Sequence, residues 1–330
     1  ISIRIIMKSS NTQRIARNNN QCIEVILKRG EIPESIHRVH AVISDSKGRI
    51  LMKAGNAAYE TFIRSALKPF QALTFISSGT AEKINSDDKG IAISCGSHSG
   101  TAVHSREAFK ILWNSEVEVE QLKCPIPKGG RSRLEHNCSG KHAAFLATCK
   151  KMGWPQDTYL ENKHPLQIEI IRRISELLSI QSDELIIEKD DCGAPTISMQ
   201  LSQMSFLYAQ LTHSKNAELE QIIRAMVSQP LLIGGKGKFD TELMQRAHGQ
   251  IVSKGGAEGI QCLCKIGEGL GIAIKVEDGS KRAKHAVALS ILRQLDWLTP
   301  IGLEELEDQV LNVASNIKLE VNGQMKFQES

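Results

Sequence analysis

Aromatic side chains are scarce, at 4% of the 330 residues, and acidic and basic residues nearly balance, 37 against 41. No basic run exceeds a few positions. A dedicated nucleic-acid binder shows a basic stripe or a platform of stacking rings, so that class falls away. Long apolar runs are missing as well. None approaches the ~18 to 20 residues that cross a bilayer, and the opening lacks the apolar middle and small-residue cleavage site of a signal peptide. A soluble cytoplasmic protein without a membrane role is expected. Eight cysteines are too sparse for a disulfide scaffold, which a chain of this length does not need. No Pro/Ser/Gly linker and no fixed-period repeat interrupts the text. One domain over 21–330 is the simplest reading, after a polar, aperiodic tail over 1–20.

What is present has two periodicities. Ile23, Val25 and Leu27 alternate in "CIEVILKRG", and "HRVHAVISDSKGRILMKAG" reads as two strands joined by a turn at Asp45 to Gly48. Strands return at about 249–254, 260–266 and 271–277. A helix capped by Ser280 follows, with Val287, Ile291, Leu295 and Leu298 along one face. The intervening 56–248 is mostly helical: Ile63, Leu67, Phe70, Leu73 and Ile76 keep helical spacing, and further helices are expected at 101–115, 139–152, 163–178, 197–213 and 239–247. The expected class is α+β, one antiparallel sheet built from 21–55 and 249–298 with a helical subdomain between.

Several motifs carry less than they promise. "GEGLG" at 267–271 has Ile272 where a dinucleotide fingerprint needs glycine, and "GSHSG" at 96–100 has His98 where a nucleophile elbow needs serine. "GGKGKF" lacks the hydroxyl residue of a P-loop. All three read as turns. Cys262 and Cys264 alternate in "IQCLCKI" as small buried strand residues, whereas Cys138 and Cys192 sit in polar, glycine-bearing loops and need another reason.

"RSALKP" places Ser65 and Lys68 three positions apart, close enough on a helix for the amine to act as base toward the hydroxyl. Pro69 disfavours a helical Lys68, so the pair is expected to straddle a helix start. "SDDK" at 86–89 repeats the spacing and reads as a solvated loop. The first copy has company: Ser97 and Ser99 end the apolar stretch "IAI", and Lys254 ends a late strand in "IVSKGG". Two Ser/Lys couples supply a nucleophile, a base, a proton relay and cationic support for an oxyanion. For a metal, the residue types alone favour Cys138, His142, Cys192 and an aspartate.

In order, "ESIHRVHAVISDSKGRIL", "RSALKPFQA", "CGSHSG", "NCSGKHAAFLA", "DDCGAP", "GKFDTELM", "VSKGGAEG" and "GIAIKVEDGS" resemble the Rhizobium-type L-asparaginases, the thermolabile asparaginase II family. The resemblance spans about 24–297. It implies a fold like that of serine β-lactamases and glutaminases, a homodimer, and hydrolysis of L-asparagine to aspartate and ammonia. By position it implies Ser65 and Lys68 as the nucleophilic couple, Ser97 and Lys254 as the supporting couple, and zinc on Cys138, Lys141, Asp190 and Cys192. In "DDCGAP" the choice between Asp190 and Asp191 rests on the family's alignment. Arg64 also matches a family position and could bind substrate, with His142 and Glu258 as further substrate contacts. Matching His37 and His40 fit a structural role on a strand. Three rival readings remain: a β-lactamase-like or other serine amidohydrolase, a non-catalytic amino-acid-binding protein on the same fold, and a metal-dependent hydrolase in which zinc activates water.

Overall fold

The computed structural model describes residues 21–213, 216–311 and 314–328, so the expected tail over 1–20 lies outside the described residues. The class is α+β, and contacts gather the chain into two units. One takes the described residues up to Thr61, Met199–His213 and those from Glu242 onward; the other takes Phe62–Ser198 and the described residues from 216 to Thr241.

The first unit is built on an antiparallel sheet. Its main path runs Ile317–Asn322, Ile23–Arg29, Ile32–Asp45, Leu270–Val276, Ile260–Lys265, Ile251–Gly255, with Ile50–Ala54 and Lys326–Phe327 joined beside the long second strand. In Ile23–Arg29 the alternation expected from the text appears as alternating burial, because successive side chains leave opposite faces. The inner strands differ. Gly271 to Val276 are all buried, so both faces there are covered. Leu201–His213 packs on the face that carries Ser44, whose hydroxyl lies 2.6 Å from that of Ser205. The helix Lys281–Gln294, capped by Ser280 through the amide of Ala283, also packs on the sheet. Register fixes who meets whom: Val39 faces Val276, Ala41 faces Ile274, and Lys254 faces Cys262.

Two expectations for the sheet need correction. It does not end near 298: the helix Pro300–Val310 and the strand Ile317–Asn322 follow, the latter alternating Ile317, Leu319 and Val321. The segment from 197 begins as a strand, Pro195–Gln200, and turns helical only at Leu201.

The second unit is helical around Asp88–Cys95, a short helix whose residues from Gly90 to Cys95 are all buried. Asp87 starts it by accepting from the amides of Lys89 and Gly90, so "SDDK" is an N-cap rather than a plain loop. The apolar "IAI" belongs to this helix. Ala102–Asn114, Ser139–Met152 and Ala217–Ser228 pack around it. Ser139–Met152 comes so close that a methyl group on Gly140 would lie 2.2 Å from the carbonyl oxygen of Ile93. A hairpin of Ile186–Lys189 with the opposing stretch from Pro195 to Ser198 adds strand structure inside a region expected to be helical.

The Gly140 contact predicts a reversal of the usual helix rule. Gly→Ala inside a helix ordinarily gains up to about 1 kcal/mol, but Gly140→Ala should lose about 1 to 3 kcal/mol through overpacking against backbone. Urea denaturation decides it: a higher midpoint in the variant would show that the helices part at no cost.

Candidate functional site

Ser65 and Lys68 do straddle a helix start. Arg64–Leu67 is a single 3-10 turn, and Lys68–Gln71 continues it with Pro69 in its first turn. Contrary to the rule for a residue before proline, Lys68 is helical, at φ −57° and ψ −38°. Its backbone amide bonds the carbonyl of Ser65, which holds the turn closed. The side chain then runs inward, 1% exposed, and its Nζ lies 2.5 Å from Gly96 O, 3.0 Å from Ser97 Oγ and 3.5 Å from Asn137 O. Among the described residues no hydrogen bond joins Lys68 Nζ to Ser65 Oγ. The amine is therefore shared differently from the sequence expectation, reaching the second serine directly.

The loop that carries Ser97 is pinned from behind. Its amide donates to Ile233 O at 2.8 Å. Next to it, His98 is 2% exposed. The amide of Gly100 donates to His98 Nδ1, so the ring proton sits on Nε2 and donates to Ser139 Oγ at 3.1 Å. Ser139 passes its own proton to Leu134 O at 2.8 Å. This chain ties the loop to the first turn of Ser139–Met152, the helix that also carries Lys141. Burial, and after it the stacked ring of His104 4.9 Å away, holds His98 well below the usual histidine range. The residue that spoils the elbow motif in "GSHSG" is thus a support for Ser97. Nothing in spacing alone marks it.

Arg64 has a positive φ of 54°, a strained conformation for a non-glycine residue, directly before Ser65. Its guanidinium is held by Asp190 and Asp191, with Nε 2.9 Å from Asp190 Oδ1 and Nη2 2.6 Å from Asp191 Oδ2. The question of one aspartate or the other dissolves: both engage Arg64. Burial disfavours its charge, but the two carboxylates outweigh that and raise its pKa. Arg64 is thereby a clamp on the Ser65 turn.

Cys138, Lys141 and Cys192 do come together. Lys141 Nζ lies 3.2 Å from Cys192 Sγ, and all three side chains are buried. A hydrogen bond from Cys138, with the adjacent Lys141 charge, draws Cys192 strongly toward thiolate; the same bond and burial push the Cys138 thiol up. Burial alone would lower Lys141, yet the negative sulfur outweighs it and raises the amine. Tyr159 accepts from the amide of Lys123, and its hydroxyl shares a hydrogen bond of 2.7 Å with His142 Nδ1. His142 Nε2 is fully buried on the side of Cys192, whose sulfur is its neighbour there. Two sulfurs and one amine are donors that suit a thiophilic cation such as zinc, whereas His142 Nε2 does not converge with both sulfurs within 4.8 Å.

Two assignments change. Asp190 is spent on Arg64 and does not converge with both cysteines on one point; among the described residues, the cysteine, histidine and carboxylate atoms that do lie within 4.8 Å of one another belong to Cys22, His40 and Glu277. His142, expected as a substrate contact, is 0% exposed and lies beside Cys192.

In the sheet unit, Lys254 lies on Ile251–Gly255, fully buried, with Nζ 2.7 Å from Gly255 O. Glu258 forms the following turn at φ 55°, exposed, its carbonyl accepting from Lys275.

His98 makes the helical unit sensitive to acid. Its folded pKa lies below the unfolded value near 6.5, so the unfolded chain takes the proton first. The stabilisation is complete above that pH and is lost as pH falls toward the folded value, at about 1.4 kcal/mol per pH unit. His98→Gln, which keeps a donor toward Ser139, should flatten the decline in urea stability between about pH 7 and 5. An unchanged slope would assign the decline to other groups.

Comparisons with known proteins come last because the geometry stands without them. No curated protein sequence matches the chain. Among solved structures, Mglu aligns at a TM-score of 0.48 with 12% identity, covering 79% of this chain and 67% of its own. A beta-lactamase from Mycobacterium bovis aligns at 0.46 with 12% identity, covering 79% of this chain and 95% of its own. The L-asparaginase II family matches residues 25–327, and the chain belongs to that family of amidohydrolases.

Proposed function

We propose that the protein hydrolyses the side-chain amide of L-asparagine to L-aspartate and ammonia. The observation that carries this reading is the buried Lys68 amine, aimed at Ser97 Oγ and held one helical turn from Ser65. Ser65 Oγ attacks the amide carbon and its proton passes to Lys68, with the Ser97 hydroxyl as the intermediate that lies nearest the amine. To accept that proton Lys68 must act as the neutral amine, whose two N–H bonds the carbonyls of Gly96 and Asn137 can take. The proton then goes to the departing nitrogen, so that ammonia leaves and an aspartyl ester remains on Ser65. Water attacks that ester, its proton following the same route, and aspartate is released. The family resemblance alone gives Lys254 a supporting role.

Cys138, Lys141 and Cys192 would hold a zinc ion, whose bound form supplies a Lewis-acid contact that orients substrate. Lys141 must shed its proton to ligate, so metal affinity should fall as pH drops. The strained Arg64 and its two aspartates keep the Ser65 hydroxyl presented. A homodimer and a cytoplasmic setting complete the reading, both from the family resemblance and composition.

The 3.0 Å contact between Lys68 and Ser97 favours one second reading, in which Ser97 is the nucleophile. Rapid-quench mass spectrometry with asparagine separates the two by locating the acyl group. Expected is an ester on Ser65, no turnover by Ser65→Ala, and an asparagine kcat/KM at least about 100-fold above that for glutamine, whose extra methylene shifts the amide carbon by about 1 Å or more. An acyl group on Ser97 would reassign the nucleophile, and absence of ammonia release from either amide would end the proposal.

The metal assignment is tested apart from turnover. Purified protein should carry about one zinc per chain, and Cys192→Ala should lose it while raising the KM for asparagine more than it lowers kcat. A metal-free protein with full activity would return both cysteines to ordinary thiols.

A further inference from the structure

Cys22, His40 and Glu277 form a second constellation, in the sheet unit, that the hydrolytic reading does not use. Cys22 immediately precedes the strand Ile23–Arg29, His40 lies on Ile32–Asp45, and Glu277 follows Leu270–Val276. Cys22 Sγ is 3.3 Å from His40 Nδ1, and His40 Nε2 is 2.9 Å from Glu277 Oε1. The protonation pattern follows from one neighbour. The amide of Asn56 donates to His40 Nδ1 at 3.1 Å, so that nitrogen is an acceptor and the ring proton resides on Nε2, donated to Glu277.

The donor types also suit a metal, and their atoms lie within 4.8 Å of one another. The arrangement argues against one. Cys22 and Glu277 address opposite nitrogens of the same ring, so the sulfur and the carboxylate do not flank a single imidazole lone pair as metal ligands would. A relay needs that order: thiol, imidazole acceptor, imidazole donor, carboxylate. The ring cannot drift from it. Gly55, at φ +71°, leaves room that a side chain would take, since its Cβ would lie 2.2 Å from His40 Nδ1 and 3.1 Å from Cys22 Sγ. The ring of Tyr59 lies 4.6 Å from that of His40. Arg38 adds a cation, its Nη2 3.7 Å from Cys22 Sγ and its Nε 3.5 Å from Glu277.

We propose that Cys22 is a thiol-exchange site at which the chain is modified by small disulfides, with His40 as general base and Glu277 as its positioning partner. Cys22 Sγ attacks one sulfur of R–S–S–R while its proton passes to His40 Nδ1. The Cys22–S–R bond forms, the original S–S bond breaks, and the departing R–S⁻ takes the proton from His40. Cys22 is oxidised to the mixed disulfide and half of the reagent is reduced to R–SH. The other cysteines are placed differently. Cys95, Cys124, Cys149, Cys262 and Cys264 are fully buried, and burial pushes the thiols of Cys124 and Cys149 up to about 12, while Cys22 retains 9% exposure.

The test treats the folded full-length chain with 2-hydroxyethyl disulfide and follows each cysteine by peptide mass spectrometry. Cys22 should form the mixed disulfide at least about tenfold faster than any other cysteine, and His40→Asn should erase that advantage. Because His40 is buried and its replacement could disturb the fold, Glu277→Gln at an exposed position is the second variant. It should slow Cys22 by about tenfold while the circular-dichroism melt stays unchanged. Equal rates at all cysteines, or a Glu277→Gln rate equal to wild type, would overturn the relay. Added zinc that shields Cys22 from the reagent one-to-one would also overturn it, by making the trio a metal site.

Discussion

A lysine amine that is 1% exposed has lost nearly all of its hydration, at a cost of several kcal/mol unless its hydrogen bonds are made inside the protein. Lys68 finds three partners, and they come from two places: Gly96 and Ser97 from the loop after Asp88–Cys95, and Asn137 from the residues just before Ser139–Met152. Those two places must therefore be held side by side. His98 and Ser139 do it through hydrogen bonds, and Gly140 does it by letting the second helix approach the carbonyl of Ile93. The same helix start carries Cys138 and Lys141. A single buried amine thus fixes the distance between the serine loop and the cysteine pocket, which makes the catalytic reading and the metal reading parts of one packing problem.

Arg64 handles the other side of Ser65. A left-handed arginine costs on the order of 1 kcal/mol or more, and it persists here because two aspartates on one loop grip its guanidinium. Asp190 is partly buried while Asp191 is largely exposed, so the first bears more of the hold. The cysteine pocket begins one residue further on, at Cys192. The short "DDCGAP" run therefore serves two neighbours in succession, and a shift of one residue would exchange their roles.

Much of the sheet was legible because it follows a two-residue period with one face buried, as in Ile23, Val25 and Leu27. Its last strand, in which Ile317, Leu319 and Val321 alternate in the same way, lies beyond the helix Pro300–Val310 and so outside the expected sheet. "IAI" was not decidable, since three consecutive apolar residues fit a buried helix as well as a strand. The hairpin at Ile186–Lys189 is mostly exposed and carries little pattern. Of the candidate site, residue types and spacing point to Ser65, Lys68, Ser97, Cys138 and Cys192. The direction of the Lys68 side chain, toward Ser97, was not available from sequence, because a flexible four-carbon stem can satisfy a three-residue spacing without touching the partner.

The cysteine pocket and the Cys22 relay show how the same residue types are sorted by what faces them. At Cys192 the neighbour is an amine, and at Cys22 it is an imidazole acceptor backed by a carboxylate. An amine with its proton compensates thiolate charge in a closed space, and a cation can replace that proton without new negative charge being buried. An imidazole between a thiol and a carboxylate instead conducts a proton away from sulfur as a bond forms. Burial differs in degree: Cys138 and Cys192 are 5% and 3% exposed, whereas Cys22, just before the strand Ile23–Arg29, is 9% exposed. Charge, proton acceptor and exposure together separate a ligand cysteine from a reacting one, and none of the three can be read from a cysteine's place in the sequence.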